Sequence, residues 1–427
     1  MNATAAIATN PGGCNSSQIA DDVLWSEPRN GVDECVYVSV LARRSATRYC
    51  ALLGHAAAFG ARYTGWKFLS LSTPALKTAQ LPSSPLALGV LLMFLAASVQ
   101  PAPGAEATRL VPFDIEAHRG GRALRPENTL PAFANALSMG VDTLELDMGI
   151  TKDGVVIVSH ERALNPNLAR APDGRYIDTG IPYIQLTLSQ IKAYDVGQIR
   201  PGSAYAAQFP EQLAVPGTRI PTLSEVFALV RRSGDKHVRL NIETKINPTH
   251  PQESLDAEHF VAVVLDLLRR EHFSNRVMIE SFDWHTLLLV QRLAPKIATV
   301  YLTQQTGPDA TVYAAKASAW TAGYDPSNYG GSVARAVRAA GGKLWSPDYR
   351  DIDARAIAEA HELGVAVIAW TVNDARDMGR LIDMGVDGII SDQPDVLRTV
   401  AAAKGIQVPP GASESRGRRG LRSVPSN

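Results

Sequence analysis

From residue 109 to about residue 402 the chain alternates short apolar runs with stretches of helical period, and that alternation restricts the folds open to it. It is the pattern of α/β architecture with a parallel sheet. Strands are expected at 114–117, 142–148, 155–159, 237–243, 276–281, 297–302, 343–346, 365–370 and 386–391. Two of these are joined too tightly to be parallel neighbours, since a parallel crossover needs about a dozen residues or more. Only a short segment containing Asp153-Gly154 separates 142–148 from 155–159, and Asp-Gly between strand-like runs is a hairpin turn. Residues 155–159 are therefore an antiparallel return, which leaves eight parallel strands. Together with their helices these predict a TIM-type (β/α)8 barrel over residues 108–402. A doubly wound open sheet would want a Gly-rich phosphate loop after its first strand, and no G-x-G-x-x-G stands there.

Helix signals fall between most of the strands. Asn128 or Thr129 starts one that runs to Ser138 and stops at Gly140. Thr222-Leu223-Ser224-Glu225 is a capping box. Residues 257–272 place Phe260, Val261, Val264, Leu265 and Leu268 at helical spacing, and further helices are expected at 284–293, 352–363 and 374–384. The last two end before Gly364 and Gly385. Residues 161–220 are rich in Pro and Gly with little periodicity. A loop of that length is usually functional or an inserted subdomain, and this one would sit near the barrel mouth.

Outside the barrel the signals are of another kind. An apolar run at 86–99, LALGVLLMFLAASV, is shorter than the ~20 residues a membrane span needs, but it suits a signal-peptide core. Ala105-Glu106-Ala107 then supplies a small-x-small cleavage pattern, with Lys77 as the positive flank. Residues 76–107 thus read as a signal-like segment and residues 1–75 as a non-native or disordered extension, with the mature chain beginning at Thr108. This predicts a periplasmic or secreted protein, with no stable membrane association once the segment is removed; the other reading of the segment is a membrane anchor with a cytoplasmic tail. Residues 403–427, with Arg416, Arg418, Arg419 and Arg422, read as a disordered tail. Lys+Arg and Asp+Glu both number 42, which gives no bulk electrostatic support for a nucleic-acid partner. Cys14, Cys35 and Cys50 all precede the barrel, so it holds neither a thiolate metal site nor a cysteine nucleophile.

Reactive groups in such barrels lie at the C-terminal ends of the strands. Those ends carry His118-Arg119, Glu145 and Asp147, His160, Glu243 and Lys245, Phe282, Trp370, and Asp392. Strand side chains alternate with period two, so Glu145 and Asp147 share a face, as do Glu243 and Lys245. Like-charged carboxylates held together repel unless a cation joins them. Three of them on adjacent strands make an oxygen-rich site for one divalent cation, Ca2+ or Mg2+. The other reading is a salt-bridged interior in which Lys245 or Arg119 neutralises the acids. With Asp153-Gly154 as the two central turn residues, Lys152 faces Val155 and Asp147 faces His160, about 5 Å apart at Cβ. His118 and His160 can pass protons near neutral pH, and the Arg119 guanidinium suits a phosphate. Two histidines, a cationic clamp and a divalent ion are the parts of an in-line displacement at phosphorus.

At this point the chain resembles the glycerophosphodiester phosphodiesterase family. HRGGRALRPENTLPAF (118–133) looks like its first signature and LELDMGITKDGVVIVSHE (144–161) like its second. IETK (242–245), ESFDW (280–284), AWTVND (369–374) and GVDGIISDQPD (385–395) follow in the expected order. The resemblance implies a TIM barrel, a divalent metal and cleavage of glycerophosphodiesters to sn-glycerol 3-phosphate and an alcohol. It implies His118 and His160 as the acid/base pair, Arg119 and Lys245 on the phosphate, and Glu145, Asp147 and Glu243 on the metal. Glu127 is assigned to the pocket or to orienting Arg119, while Phe282 and Trp370 line the glycerol side. The family usually has Asp after its second histidine; here the residue is Glu161. A phospholipase D-like hydrolase acting on lysolipids or sphingolipids would share the histidines and acids. A barrel that only binds phosphodiesters would be free to lose them.

Overall fold

A computed structural model describes residues 109–411, together with the backbone of a two-residue strand pair, Ala8–Thr9 with Val36–Tyr37. The signal-like segment, most of the N-terminal extension and residues 412–427 lie outside the described residues. Within 109–411 nine strands form one sheet: β1 (Asp114–Ala117), β2 (Thr143–Ile150), β3 (Val156–Val158), β4 (Arg239–Thr244), β5 (Val277–Ser281), β6 (Ala298–Thr303), β7 (Leu344–Pro347), β8 (Ala366–Ala369) and β9 (Gly388–Ser391). Neighbours run β1-β9-β8-β7-β6-β5-β4-β2, all parallel, and β1 also pairs with β2, which closes an eight-stranded barrel. β3 is the antiparallel return. Each expected strand is present to within a few residues.

The longer helices are α1 (Leu130–Met139), α2 (Leu188–Ile191, inside the insertion), α3 (Leu223–Ser233), α4 (Ala257–Arg270), α5 (Trp284–Leu293), α6 (Val333–Ala339), α7 (Ala354–Glu362), α8 (Ala375–Met384) and α9 (Pro394–Ala403). Their ends follow from local chemistry. Thr129 caps α1 by accepting from the Ala132 amide, and the Thr222/Glu225 capping box opens α3 with both reciprocal bonds made. Gly385 ends α8 in the left-handed conformation. Ser332 caps α6 in the same way, accepting from the Arg335 amide, and α9 opens on Pro394. Among the described residues no helix is long and apolar enough to cross a membrane.

The hairpin differs from expectation by one residue. Met148 pairs with Val158 and Ile150 with Val156, so the loop has three residues, Lys152 to Gly154, rather than two. Gly154 takes φ 75°, the left-handed residue that ends a three-residue hairpin loop. Ser159, not His160, therefore stands opposite Asp147, its amide donating to the Asp147 carbonyl (3.0 Å). His160 follows the end of β3 and reaches the site past the ladder.

The core lies between strands and helices, where Leu144, Leu146, Ile242, Ile279, Phe133 and Phe227 are fully buried. Inside the barrel, below the mouth, sits a polar layer. Asn241 donates to Glu116 (3.1 Å) and Glu280 (2.6 Å), and all three are buried. Burial first, then the neighbouring Asp114 carboxylate, pushes Glu116 well above the carboxylate range. The folded protein therefore holds a proton on Glu116 that the unfolded chain releases near pH 4.3, so this group lowers stability as pH rises above that value. Glu116→Gln, neutral at every pH, is expected to raise the melting temperature at pH 7 to 8 relative to pH 4. A thermal-melt series in which variant and parent keep a constant offset across that range would refute it.

Residues 161–220 form an ordered substructure with small cores of its own. Ile157, Leu164, Ala169, Tyr183, Ile191, Val196 and Ile220 form one small core. A second, of Ala123, Ile199 and Phe209, ties it to the loop after β1. Asp195 is its hub, pairing with Arg170 and accepting from the Gly197 and Gly217 amides, both at 2.9 Å.

Candidate active site

The C-terminal end of β1 runs into a tight turn, His118-Arg119-Gly120-Gly121. Arg119 has φ 50°, and Gly120 and Gly121 have φ 81° and 86°. A non-glycine residue in that region costs ~1 kcal/mol or more and persists where its surroundings hold it. Arg119 is held by its amide, which donates to Glu145 Oε2 (2.7 Å), and by its guanidinium, which donates to Glu127 Oε1 (2.8 Å). A Cβ on Gly120 would stand 2.9 Å from both the Ala132 and Phe133 side chains. Gly120→Ala is expected to cost about 1–3 kcal/mol through strained φ and overpacking, read as a drop in melting temperature. An unchanged melt would show that the turn can relax.

His118 Nδ1 lies 2.5 Å from Asp392 Oδ1, and its Nε2 lies 3.9 Å from Glu145 Oε2. Asp392, at the end of β9, also accepts from Arg122 Nε (2.7 Å) and Asn373 Nδ2 (2.7 Å). Burial raises the affinity of Asp392 for a proton, but His118 and Arg122 outweigh it and hold the group below the carboxylate range. With Asp392 ionised, the neutral imidazole carries its proton on Nδ1 and presents a lone pair at Nε2. Burial lowers the His118 pKa to about 4, with Arg122 and Arg119 acting in the same sense against Asp392. Burial, Arg119 and Lys245 likewise bring His160 to about 4. Its Nδ1 meets Glu161 Oε1 at 2.9 Å, so the Glu at this position reaches the ring and steadies it.

The acidic set occupies β2 and its neighbour β4, where Asp147 and Glu243 are register partners. Glu145 is 2% exposed, Asp147 1% and Glu243 7%. Burial, then crowding by Asp147, pushes Glu145 well above the carboxylate range. Glu243 is raised to about 7 by burial and Asp147, against the pull of Lys245. Asp147 goes the other way: burial raises it, but His160, Lys245, Arg119 and an Asn128 amide bond of 2.8 Å hold it low. Lys245 Nζ donates to Glu243 Oε1 (2.9 Å) and lies 3.6 Å from Asp147 Oδ1. The salt-bridged interior is thus the arrangement adopted here, and among the described residues no three acidic, His or Cys side chains are gathered tightly enough to cage an ion. The donor chemistry nonetheless fits one. Three buried carboxylates on the paired strands β2 and β4 are the hard oxygen donors that Ca2+ or Mg2+ takes.

Phe282 after β5 meets Trp370 after β8 edge to face (5.4 Å between centroids), and Trp320 joins from the β6–α6 loop (6.4 Å). These half-buried rings form an apolar wall at the mouth; β5, which leads to Phe282, pairs with β4 and its Glu243, and β8, which leads to Trp370, pairs with β9. The mouth therefore gathers His118, Arg119, Glu145, Asp147, Glu243 and Lys245. It places His160 at the edge, Glu127 behind Arg119, and Phe282 and Trp370 after β5 and β8. The Asp392, Asn128, Arg122 and Tyr205 side chains also take part, although the strand-end reading gave them no role. Asp392 stood at a strand end and could have been found on that ground.

A model of the Glycerophosphoryl diester phosphodiesterase family matches residues 118–396. The chain belongs to that family. It is similar to a glycerophosphodiester phosphodiesterase of Caldanaerobacter subterraneus subsp. tengcongensis (32% identical over 289 residues, 66% of this chain and 95% of that one). One from Bacillus subtilis is 30% identical, covering 66% of this chain and 85% of that one. Among solved structures, a putative glycerophosphoryl diester phosphodiesterase from Silicibacter pomeroyi superposes with TM-score 0.62 at 34% identity, covering 70% of this chain and 95% of that one. This glycerophosphoryl diester phosphodiesterase family barrel is thus that of a phosphoric diester hydrolase, and the family match begins at His118 and takes in every site residue named above.

Proposed function

We propose that the barrel hydrolyses glycerophosphodiesters to sn-glycerol 3-phosphate and an alcohol, with His118 and His160 as the proton-transfer pair. The observation that carries this reading is the His118–Asp392 pair at 2.5 Å, set beside a buried guanidinium and three buried carboxylates within the span that matches the family. Arg119 and Lys245 bind the phosphate. Arg119 Nε is buried and makes no hydrogen bond, its nearest carboxylate being Asp147 at 3.6 Å, so the guanidinium retains donor capacity for an anion. His118, its tautomer fixed by Asp392, takes the proton of the attacking water at Nε2. His160 gives its proton to the leaving alcohol, because an anionic substrate beside Glu161 favours its charged form. Phe282 and Trp370 exclude water along the carbon face of the glycerol. Glu145, Asp147 and Glu243 would hold Ca2+ or Mg2+, which when bound supplies positive charge to the non-bridging phosphoryl oxygens.

The test is release of glycerol 3-phosphate from glycerophosphocholine, run beside lysophosphatidylcholine. Turnover of the first and not the second supports the reading. Turnover confined to the lysolipid would move the assignment to the lipid-directed alternative. Export rests on residues 76–107 alone, and N-terminal sequencing of protein from the culture medium or periplasm should find Thr108.

A further inference from the structure

The inserted segment sends one side chain into the machinery at the barrel mouth. The Tyr205 hydroxyl donates to Glu127 Oε2, while the other oxygen of that carboxylate accepts from Arg119 NH1 at 2.8 Å. Both oxygens of Glu127, a residue only 8% exposed, are thereby committed, one to the insertion and one to the guanidinium. Tyr205 is itself braced. Its ring meets Phe209 edge to face at 5.3 Å, and Phe209 in turn lies under the Arg122 guanidinium (5.0 Å). Gln212 Nε2 donates to the Arg122 carbonyl (2.6 Å) and the Leu213 amide to the Leu124 carbonyl (3.1 Å), stitching the insertion to the turn after β1.

A carboxylate bonded at one oxygen only is free to rotate about its terminal torsion, and the guanidinium it holds follows. Fixing the second oxygen removes that freedom. Arg119 needs the restraint more than most residues, because its backbone is left-handed and its buried Nε makes no hydrogen bond, standing only in an ion pair with Asp147 Oδ2 at 3.6 Å. A guanidinium locked through one amino group, with a donor still unbonded at Nε, is ready for an anion.

We propose that Tyr205 is a positioning residue for phosphate recognition, acting through Glu127 to hold Arg119 ready for the phosphodiester. This rests on the function proposed above, and it makes the insertion part of the phosphate site.

The experiment is a double-mutant cycle of Tyr205→Phe and Glu127→Gln on the full barrel, read by kcat, KM and calorimetric binding of sn-glycerol 3-phosphate. Tyr205→Phe keeps the ring and removes only the hydroxyl. It is expected to lower kcat/KM by about 10-fold or more, the worth of a hydrogen bond to a charged group, mostly through KM, and to weaken product binding by a similar factor. In the Glu127→Gln background the same substitution should add little. Ile191→Ala loosens the other small core of the insertion, to which Tyr205 does not belong, so it should lower the melting temperature and leave kcat/KM of the folded protein unchanged. Unaltered kcat/KM in Tyr205→Phe, losses that multiply independently in the double variant, or an Ile191→Ala loss as large as that of Tyr205→Phe would each overturn the proposal. If the parent protein releases no glycerol 3-phosphate from any substrate, the hydrolytic reading fails, and the cycle measured by binding alone still decides the role of Tyr205.

Discussion

Replacing His118 with alanine is expected to lower kcat by about 10²- to 10⁴-fold, the usual range for a lost general acid or base, with little change in melting temperature. The fold should tolerate the change because the imidazole leaves no buried partner stranded. Asp392 keeps Arg122 and Asn373 at 2.7 Å each, and the Glu145 carboxylate keeps the Arg119 amide. Asp392→Asn should lose activity too, since an amide no longer fixes the proton on Nδ1. The variant carries a second signature. The unfolded imidazole binds a proton near pH 6.5, whereas burial and Arg122 hold the folded one to about 4. Between those values the unfolded chain binds more protons, so this group's contribution is intact above pH 6.5 and is lost as pH falls towards 4. His118→Ala should therefore flatten the acid limb of the stability profile while it abolishes turnover. Full turnover in the alanine variant would remove His118 from the mechanism.

Stripping divalent ions with EDTA is expected to reduce turnover by ~10³-fold or more, given that a bound ion supplies several kcal/mol of charge stabilisation in the transition state; Ca2+ or Mg2+ should restore it. The sharper probe is Glu145→Gln. A glutamine oxygen can still accept from the Arg119 amide that Glu145 accepts at 2.7 Å, and it carries none of the charge that burial and Asp147 disfavour, so the metal-free variant should melt no lower than the parent at neutral pH. What the amide loses is charge towards a cation. The parent should melt higher when the ion is added, because a ligand that binds only the folded state stabilises it. Glu145→Gln should lose both that rise and the ion-dependent turnover. Full activity in chelator would refute the carboxylate assignment, as would an undiminished thermal response in the variant. Asp147→Asn is a poorer choice, because it also leaves Arg119 and Lys245 buried with less compensating charge.

The strands and most helices could be read from the chain because parallel barrel strands are short apolar runs and their helices end at caps and glycines. The hairpin register could not be fixed to the residue. Asp153-Gly154 satisfies both a two-residue turn and the last two places of a three-residue one, and only backbone geometry separates them. The candidate site was legible wherever period-two alternation set a carboxylate or lysine among apolar neighbours at a strand end. It was not legible where a partner comes from a distant part of the chain. Nothing local ties Asp392 to His118, and Tyr205 sits in a stretch without periodicity. The interior layer of Glu116, Asn241 and Glu280 also escaped, because strands buried on both faces give no alternation that marks which way a polar residue points.

Closure of β9 against β1 has a consequence for how the protein comes into being. His118 and Asp392 are separated by 274 positions, and β1 lies unpaired on its β9 side until the last strand is made. During synthesis the chain emerges with its first strand waiting, its histidine without the carboxylate that sets its tautomer. Contacts between such distant segments form late, since the loop-closure entropy must be met first. Catalytic competence therefore arrives at the end of folding and all at once. A nascent chain that stops short of β9 is not a weak hydrolase but an inactive one with an open sheet edge, so the appearance of activity during translation would time the completion of the barrel.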